Sequence, residues 1–300
     1  MKLKSILHFF IFSNIFIACC ALVLTYSTFY LLNIPAALNW YLLLIFLCTL
    51  FVYNLHYFIK GWKKSDLRLD WCKRHSRYVV ISIFGSAFFI LGGIVWHYKA
   101  IFIHQGGFNY RNLFWFIIIP FVSLAYSHPL NPWSHKSIRE IGLLKSVSLS
   151  FVWAFTTVVL PVIMWNDAPA TIFNQVLFLF LYQFIFIMAL CVLFNIKDYE
   201  EDKKDGVNTV AVMAGPQATL HTGKWVFAVL IAIAGFFLLQ SFHLLHLAGY
   251  AAILIPLIMI FLLYHYFKPG MDSGLFVFRH DGMMIVQALL LIFAVLFINS

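Results

Sequence analysis

Four oxygen-bearing side chains, Asn195, Asp198, Asp202 and Asp205, recur through the polar stretch NIKDYEEDKKDGVNTVAVMAG at i, i+3, i+7 and i+10. On a helix this spacing stacks them along one face. Like charges so placed repel, each neighbouring pair costing about 0.2–0.5 kcal/mol in an isolated helix. The row becomes favourable when a hard divalent cation sits against it. Mg2+ takes oxygen ligands and commonly combines one or two carboxylates with the phosphate oxygens of a substrate. On this reading the row that includes Asn195, Asp198 and Asp202 is a metal–diphosphate site. Lys203 and Lys204 lie close enough to neutralise further phosphate charge or to pair with Glu200 and Glu201. A competing reading of the same spacing is a solvated loop whose mixed charges keep it out of a membrane.

The elements that must position this row are set by composition. The chain has 300 residues, 63% hydrophobic and only 10% charged, with a mean hydropathy of +0.91. A soluble domain with so few charges would expose large apolar patches. The expected class is an all-α, polytopic membrane protein, a single integral membrane domain over 1–300. Runs of about 17–25 apolar residues are long enough to cross the hydrocarbon core. Nine stretches qualify, near 5–31, 38–59, 78–97, 112–127, 143–165, 171–195, 225–242, 248–267 and 282–299, the fourth and last being short. The first has no small-residue cleavage site after a short core and reads as a retained helix. The five cysteines lie mostly within these runs at no ligand-like spacing and read as small packing residues.

Positive charge marks cytoplasmic loops. With the N-terminus inside and nine crossings, every Lys and Arg except Lys99 and Arg111 falls on the inner side, leaving the C-terminus outside. The net charge of +9 then reflects orientation and attraction to anionic lipid headgroups. Its dispersal over separate membrane-proximal segments argues against a nucleic-acid partner. The expected location is the bacterial inner membrane, and the oligomeric state is not encoded in any pattern here. His243 and His246 form an HxxH on a short outer loop, where no metal site is expected.

The acidic stretch resembles the second aspartate-rich motif of the UbiA superfamily of intramembrane prenyltransferases. Asn195, Asp198, Asp202, Gly206, Thr209 and Gly215 occupy its places, after the sixth apolar run. A second similarity is AYSHP at 125–129, followed by Lys136 and Arg139, close to the family's Tyr-Ser-x-Pro and basic residues after the fourth helix. The resemblance implies a bundle of about nine helices around a central cavity. It also implies transfer of an isoprenyl chain from a polyprenyl diphosphate to an aromatic or lipid acceptor, with Mg2+ as cofactor and membrane lipids around the bundle. Asp198 and Asp202 would then be the catalytic Mg2+ ligands, with Asn195 assisting, and Tyr126, Lys136 and Arg139 would contact the diphosphate or the acceptor.

The chain departs from the family pattern after the second helix. There the family carries N-D-x-x-D-x-x-x-D for a second Mg2+, and this chain reads YNLHYFIKGW. Asn54 is present, a candidate acceptor or cavity residue, but Leu55, Phe58 and Trp62 stand at the aspartate positions and cannot bind a hard cation. Asp66 and Asp70 follow at i, i+4, displaced by eight residues, about 12 Å along a continuous helix. They are the alternative metal ligands if the intervening segment loops back; otherwise they pair with Arg68, Lys73 or Arg74. Basic residues of the same loop, Lys63, Lys64, Arg74 and Arg77 among them, could hold a diphosphate directly. Two other functions stay open: a non-catalytic relative that binds a lipid diphosphate, and a small-molecule transporter. Against the transporter, no charge falls in the middle of a proposed span, where coupling sites usually lie.

Overall fold

The computed structural model describes residues 2–60, 67–127, 137–268 and 273–297. The chain opens with α1 (Lys2–Phe12) and α2 (Ile15–Leu31), followed by α3 (Trp40–Lys60), α4 (Leu67–Arg74) and α5 (Ser76–Trp96). A short α6 (Tyr98–Phe102) leads into a small hairpin of β1 (Ile103–His104) and β2 (Gly107–Phe108), antiparallel with Ile103 opposite Phe108. Next come α7 (Tyr110–Ser127), α8 (Gly142–Ala154) and α9 (Leu160–Met164). The second half holds α10 (Phe173–Lys197), α11 (Tyr199–Lys204), α12 (Val210–Ala214), α13 (Pro216–Ser241), α14 (Leu247–His265) and α15 (Ser273–Leu296).

Among the described residues, seven helices are long and apolar enough to cross a membrane, and the bent pair α1–α2 makes up to eight. Of the nine expected spans, the fourth is the shorter apolar helix Tyr110–Tyr126, which runs on through Pro120. Two helices begin about two turns earlier than hydropathy suggests, α13 at Pro216 and α15 at Ser273. Polar residues at their starts, including Gln217, His221, Arg279 and Asp281, hide those first turns from a hydropathy count.

The large helices close into a ring through successive contacts: α3 with α2, α2 with α15, then α14, α13, α10, α8, α7 and back to α3. The fifth helix packs outside α3 and turns apolar side chains such as Phe84, Phe88 and Trp96 outward. In water such a face would be costly, and in lipid it is the favourable surface. Close approach between helices uses small residues, as in other membrane bundles. A Cβ on Gly235 would lie 2.4 Å from Ile253, so α13 and α14 meet there backbone to side chain.

Two irregularities bend otherwise continuous spans. The first crossing turns by 66° between α1 and α2, where Asn14 takes a left-handed conformation at φ 65. Asn tolerates that region better than a bulky residue does. The second lies between α8 and α9, where Phe155–Val159 forms a π-helical turn just before Pro161. Proline donates no backbone N–H, which breaks the regular ladder. Side chains fill the gap: Tyr41 donates to the Thr156 carbonyl at 2.7 Å and Gln183 to Thr157 Oγ1 at 2.6 Å.

Candidate active site at the charged end of the ring

The end of the ring that collects the C-termini of α3, α7 and α10 and the N-termini of α8, α13 and α15 also gathers the polar side chains. At the foot of α10 the helix hydrogen bonding barely pauses. Asp198 N–H donates to the Phe194 carbonyl at 2.9 Å, and Asp202 N–H to the Asp198 carbonyl at 2.8 Å. The expected row is therefore kept through Asn195, Asp198 and Asp202. Asp205, the fourth member, is exposed.

The Asp202 carboxylate is buried and grips an ammonium group. Lys145 Nζ lies 2.8 Å from its Oδ1 and 2.7 Å from its Oδ2, and 3.9 Å from Asp198 Oδ2. Lys145 itself is only 6% exposed, one turn into α8. Asn195 Nδ2 donates to Ser146 Oγ at 2.8 Å, so its Oδ1 is the atom that remains for a ligand. Sequence reasoning counted Lys145 only as an inner-side charge. The available signal was a lone lysine at the start of an apolar span.

The loop after α11 holds α8 in place. Gly206, at φ 69, turns the chain in a conformation that favours glycine. The buried Thr209 caps α12, accepting from Val212 N–H at 3.4 Å, and Gly215 ends that helix at φ 85. Between them the Asn208 carbonyl presses on Gly142, where an added Cβ would sit 2.3 Å from the oxygen. Gly142 opens α8, so this contact sets the depth at which Lys145 meets Asp202.

At the place of the first aspartate motif, Asn54 is fully buried among protein groups. Its Oδ1 accepts from Asn14 Nδ2 at 3.0 Å, and its Nδ2 reaches Ser82 Oγ at 3.1 Å and the Leu50 and Ser13 carbonyls. These bonds tie α3 to the break between α1 and α2 and to α5. They make Asn54 a structural anchor instead of a lining residue. Asn14 is held from the other side by Arg68, whose guanidinium donates to Asn14 Oδ1 and to the Ile11 carbonyl. Arg68 is 8% exposed and lies over the Tyr57 ring at 4.1 Å. Its Nε is buried without a partner.

The other expected site residues divide. Asp70 faces outward and pairs with Lys73 at 3.9 Å, one of the two roles open to it from sequence. Arg74 Nε donates to the Asp70 carbonyl at 3.3 Å on the exposed side of α4, and Arg77 is exposed as well. Tyr126 is half-buried, within electrostatic reach of Tyr53. Lys63, Lys64, Asp66 and Lys136 lie outside the described residues, as does the Arg139 side chain.

The early start of α15 carries a carboxylate into that span, short of its middle. Asp281 sits in the third turn of α15, is 8% exposed, and lies within electrostatic reach of Arg68 and Lys197. Beside it His280 stacks on Phe276 at 4.2 Å and meets Phe194 at 4.9 Å. Further in, the amide of Gln287 is buried without a partner. The hollow of about 290 Å³ bordered by Tyr26, Phe29, Tyr30 and Asn39 is at the opposite end of α2. His246 accepts from Gly249 N–H and caps α14.

Fold and site together define an integral membrane protein whose helix ring carries a charged, largely buried cluster at one end. The chain belongs to the UbiA prenyltransferase family, whose description matches residues 113–280. It is 26% identical over 130 residues to a digeranylgeranylglyceryl phosphate synthase of Sulfolobus acidocaldarius, a match spanning 43% of this chain and 46% of that relative. Two solved structures share the fold. A UbiA homologue from Archaeoglobus fulgidus bound to GPP and Mg2+ superposes with a TM-score of 0.58 at 14% identity, over 98% of this chain and all of that one. The apo structure of a UbiA homologue from Aeropyrum pernix K1 gives 0.55 at 13% identity, over 97% and 98%.

Proposed function

We propose that this protein transfers an isoprenyl chain from a polyprenyl diphosphate to an aromatic or lipid acceptor. The reaction site is the charged end of the ring, on the cytoplasmic side, within one membrane domain spanning 1–300. The observation that carries this reading is the convergence of Asn195, Asp198 and Asp202 beside Lys145, at the mouth of a ring that also buries Arg68 and Asp281.

The donor set fits a divalent ion only in part. Among the described residues no three His, Cys, Asp or Glu side chains gather as a metal set, and both oxygens of Asp202 meet Lys145. One carboxylate, Asp198, and one amide oxygen, from Asn195, remain. That is a sufficient protein contribution for one Mg2+, provided phosphate oxygens complete the shell. Such an ion would take up negative charge on the departing diphosphate.

The chain's own residues supply the rest. Lys145 fixes Asp202 and places an ammonium next to Asp198. Arg68 offers a fixed, weakly hydrated cation whose Nε is free for an oxyanion. Aromatic side chains of the interior exclude water from the allylic carbon as its bond to the diphosphate oxygen breaks and the bond to the acceptor forms. Asp281 is our candidate to receive the proton that the acceptor gives up.

The test uses purified protein in detergent, a radiolabelled geranylgeranyl donor and a panel of aromatic and lipid acceptors. We expect product from the wild type and none from Asp198→Ala. Donor binding without turnover across the whole panel would favour the second reading, a non-catalytic binder of lipid diphosphates. The lack of carboxylates at the first motif is the observation behind that alternative.

A further inference from the structure

We propose that Lys145 and Arg68 are built-in counter-cations that stand where divalent ions would otherwise be required, so that the head-group site takes up no metal on its own. This deepens the functional reading above and rests on it for the nature of the head group.

The two places are independent and lead to the same result. At the second aspartate motif a carboxylate row would ordinarily repel itself until a metal arrives. Here the compensating charge arrives covalently, on α8. The Lys145 ammonium spans both oxygens of Asp202 and reaches toward Asp198. Its depth is fixed by the Gly142–Asn208 contact, so the pairing is built into the backbone and does not depend on a flexible surface chain. At the first motif Leu55, Phe58 and Trp62 stand at the aspartate positions, and none of them binds a hard cation. The surviving Asn54 spends its amide on protein partners, and through Asn14 it orients a guanidinium. The positive charge is thus supplied by Arg68, with one donor, Nε, buried and unpartnered.

Among the described groups each of these carboxylates already has a cation near it: Lys145 lies against Asp202 and Asp198, and Arg68 and Lys197 are within electrostatic reach of Asp281. An ion joins when a diphosphate brings its own negative charge.

The decisive measurement needs no prenyl donor. Mn2+ replaces Mg2+ as a paramagnetic probe, and its binding to the full chain in detergent is followed by electron paramagnetic resonance. We expect the wild type to bind no stoichiometric Mn2+ without a diphosphate. Lys145→Met frees the Asp198–Asp202 pair and gains one ion, and Lys145→Met/Asp202→Asn loses it again. Stoichiometric Mn2+ on the wild type, or no gain in a folded Lys145→Met, overturns the proposal. If Lys145→Met does not fold, the wild-type titration decides alone.

A second arm measures geranyl diphosphate binding by calorimetry in EDTA. The wild type should still bind, and Arg68→Gln should weaken it about tenfold or more, as expected for a charge-assisted contact. Binding that vanishes in EDTA and returns with Mg2+ counts against the fixed cations. No binding in either buffer sinks the prenyl diphosphate reading, and the Mn2+ titration still judges Lys145.

Discussion

At the scale of single residues, the ion pair between Lys145 and Asp202 has an asymmetric energetic signature. Taking two charges out of water is expensive, and their attraction roughly offsets that cost when the geometry is good. Removing one partner strands the other. Asp202→Ala is therefore expected to lower stability by about 3–5 kcal/mol, read as a fall in the thermal unfolding midpoint in detergent. Lys145→Met/Asp202→Met, which removes both charges, should recover most of that loss. Asp281 gives a different forecast. If it receives the acceptor proton, Asp281→Asn should cut kcat about 100-fold or more while leaving the donor Kd nearly unchanged. A loss of donor binding instead would assign Asp281 to the head-group site. The acid row was readable in the sequence because three oxygen-bearing side chains at helical spacing form a local pattern. Lys145 was not, since its partner is 57 positions away and only the fold brings them together.

At the scale of elements, the polar loop after α10 works as a spacer between two helices. Gly206, Thr209 and Gly215 shape the loop through a positive-φ turn, a helix cap and a helix end. Their conformations aim Asn208 at the start of α8. Gly142→Ala would drive a Cβ into a backbone carbonyl, with no flexible side chain able to yield. Overpacking of this kind costs about 1–3 kcal/mol. The larger effect expected is on turnover, because α8 must shift and carry Lys145 with it. Thr209→Ala should cost about 1 kcal/mol through the lost cap, and its activity should fall less than that of Gly142→Ala. Comparing both variants by unfolding and by product formation separates positioning from stability. Helix existence was legible from hydropathy. The starts of α13 and α15 were not, because a helix that begins in polar residues gives no apolar signal until it is two turns in. That displacement is why Asp281 was counted outside its span.

At the scale of the whole molecule, the positive-inside distribution is the basis for proposing that the charged end of the ring faces the cytoplasm. Cysteines introduced at Lys203 and at Arg111, in a background without the native cysteines, should react with an impermeant maleimide from opposite faces of sealed vesicles. Labelling of both from one face would reverse or break the topology. The ring also explains why the second half of the chain was more legible than the first. Around α10 the site is built from neighbours in sequence, whereas the Asn14–Asn54–Arg68 group joins three separated segments. That last group bears on how the protein is made. Asn14 leaves the ribosome 40 residues before Asn54 and 54 before Arg68, so its bend has nothing to hold it when the first hydrophobic segment enters the bilayer. The segment must be accepted as one unbroken stretch and fold at Asn14 only after α3 and α4 have followed. Insertion and shaping of the opening crossing are thus separate events, the second waiting for chain not yet synthesised at the first.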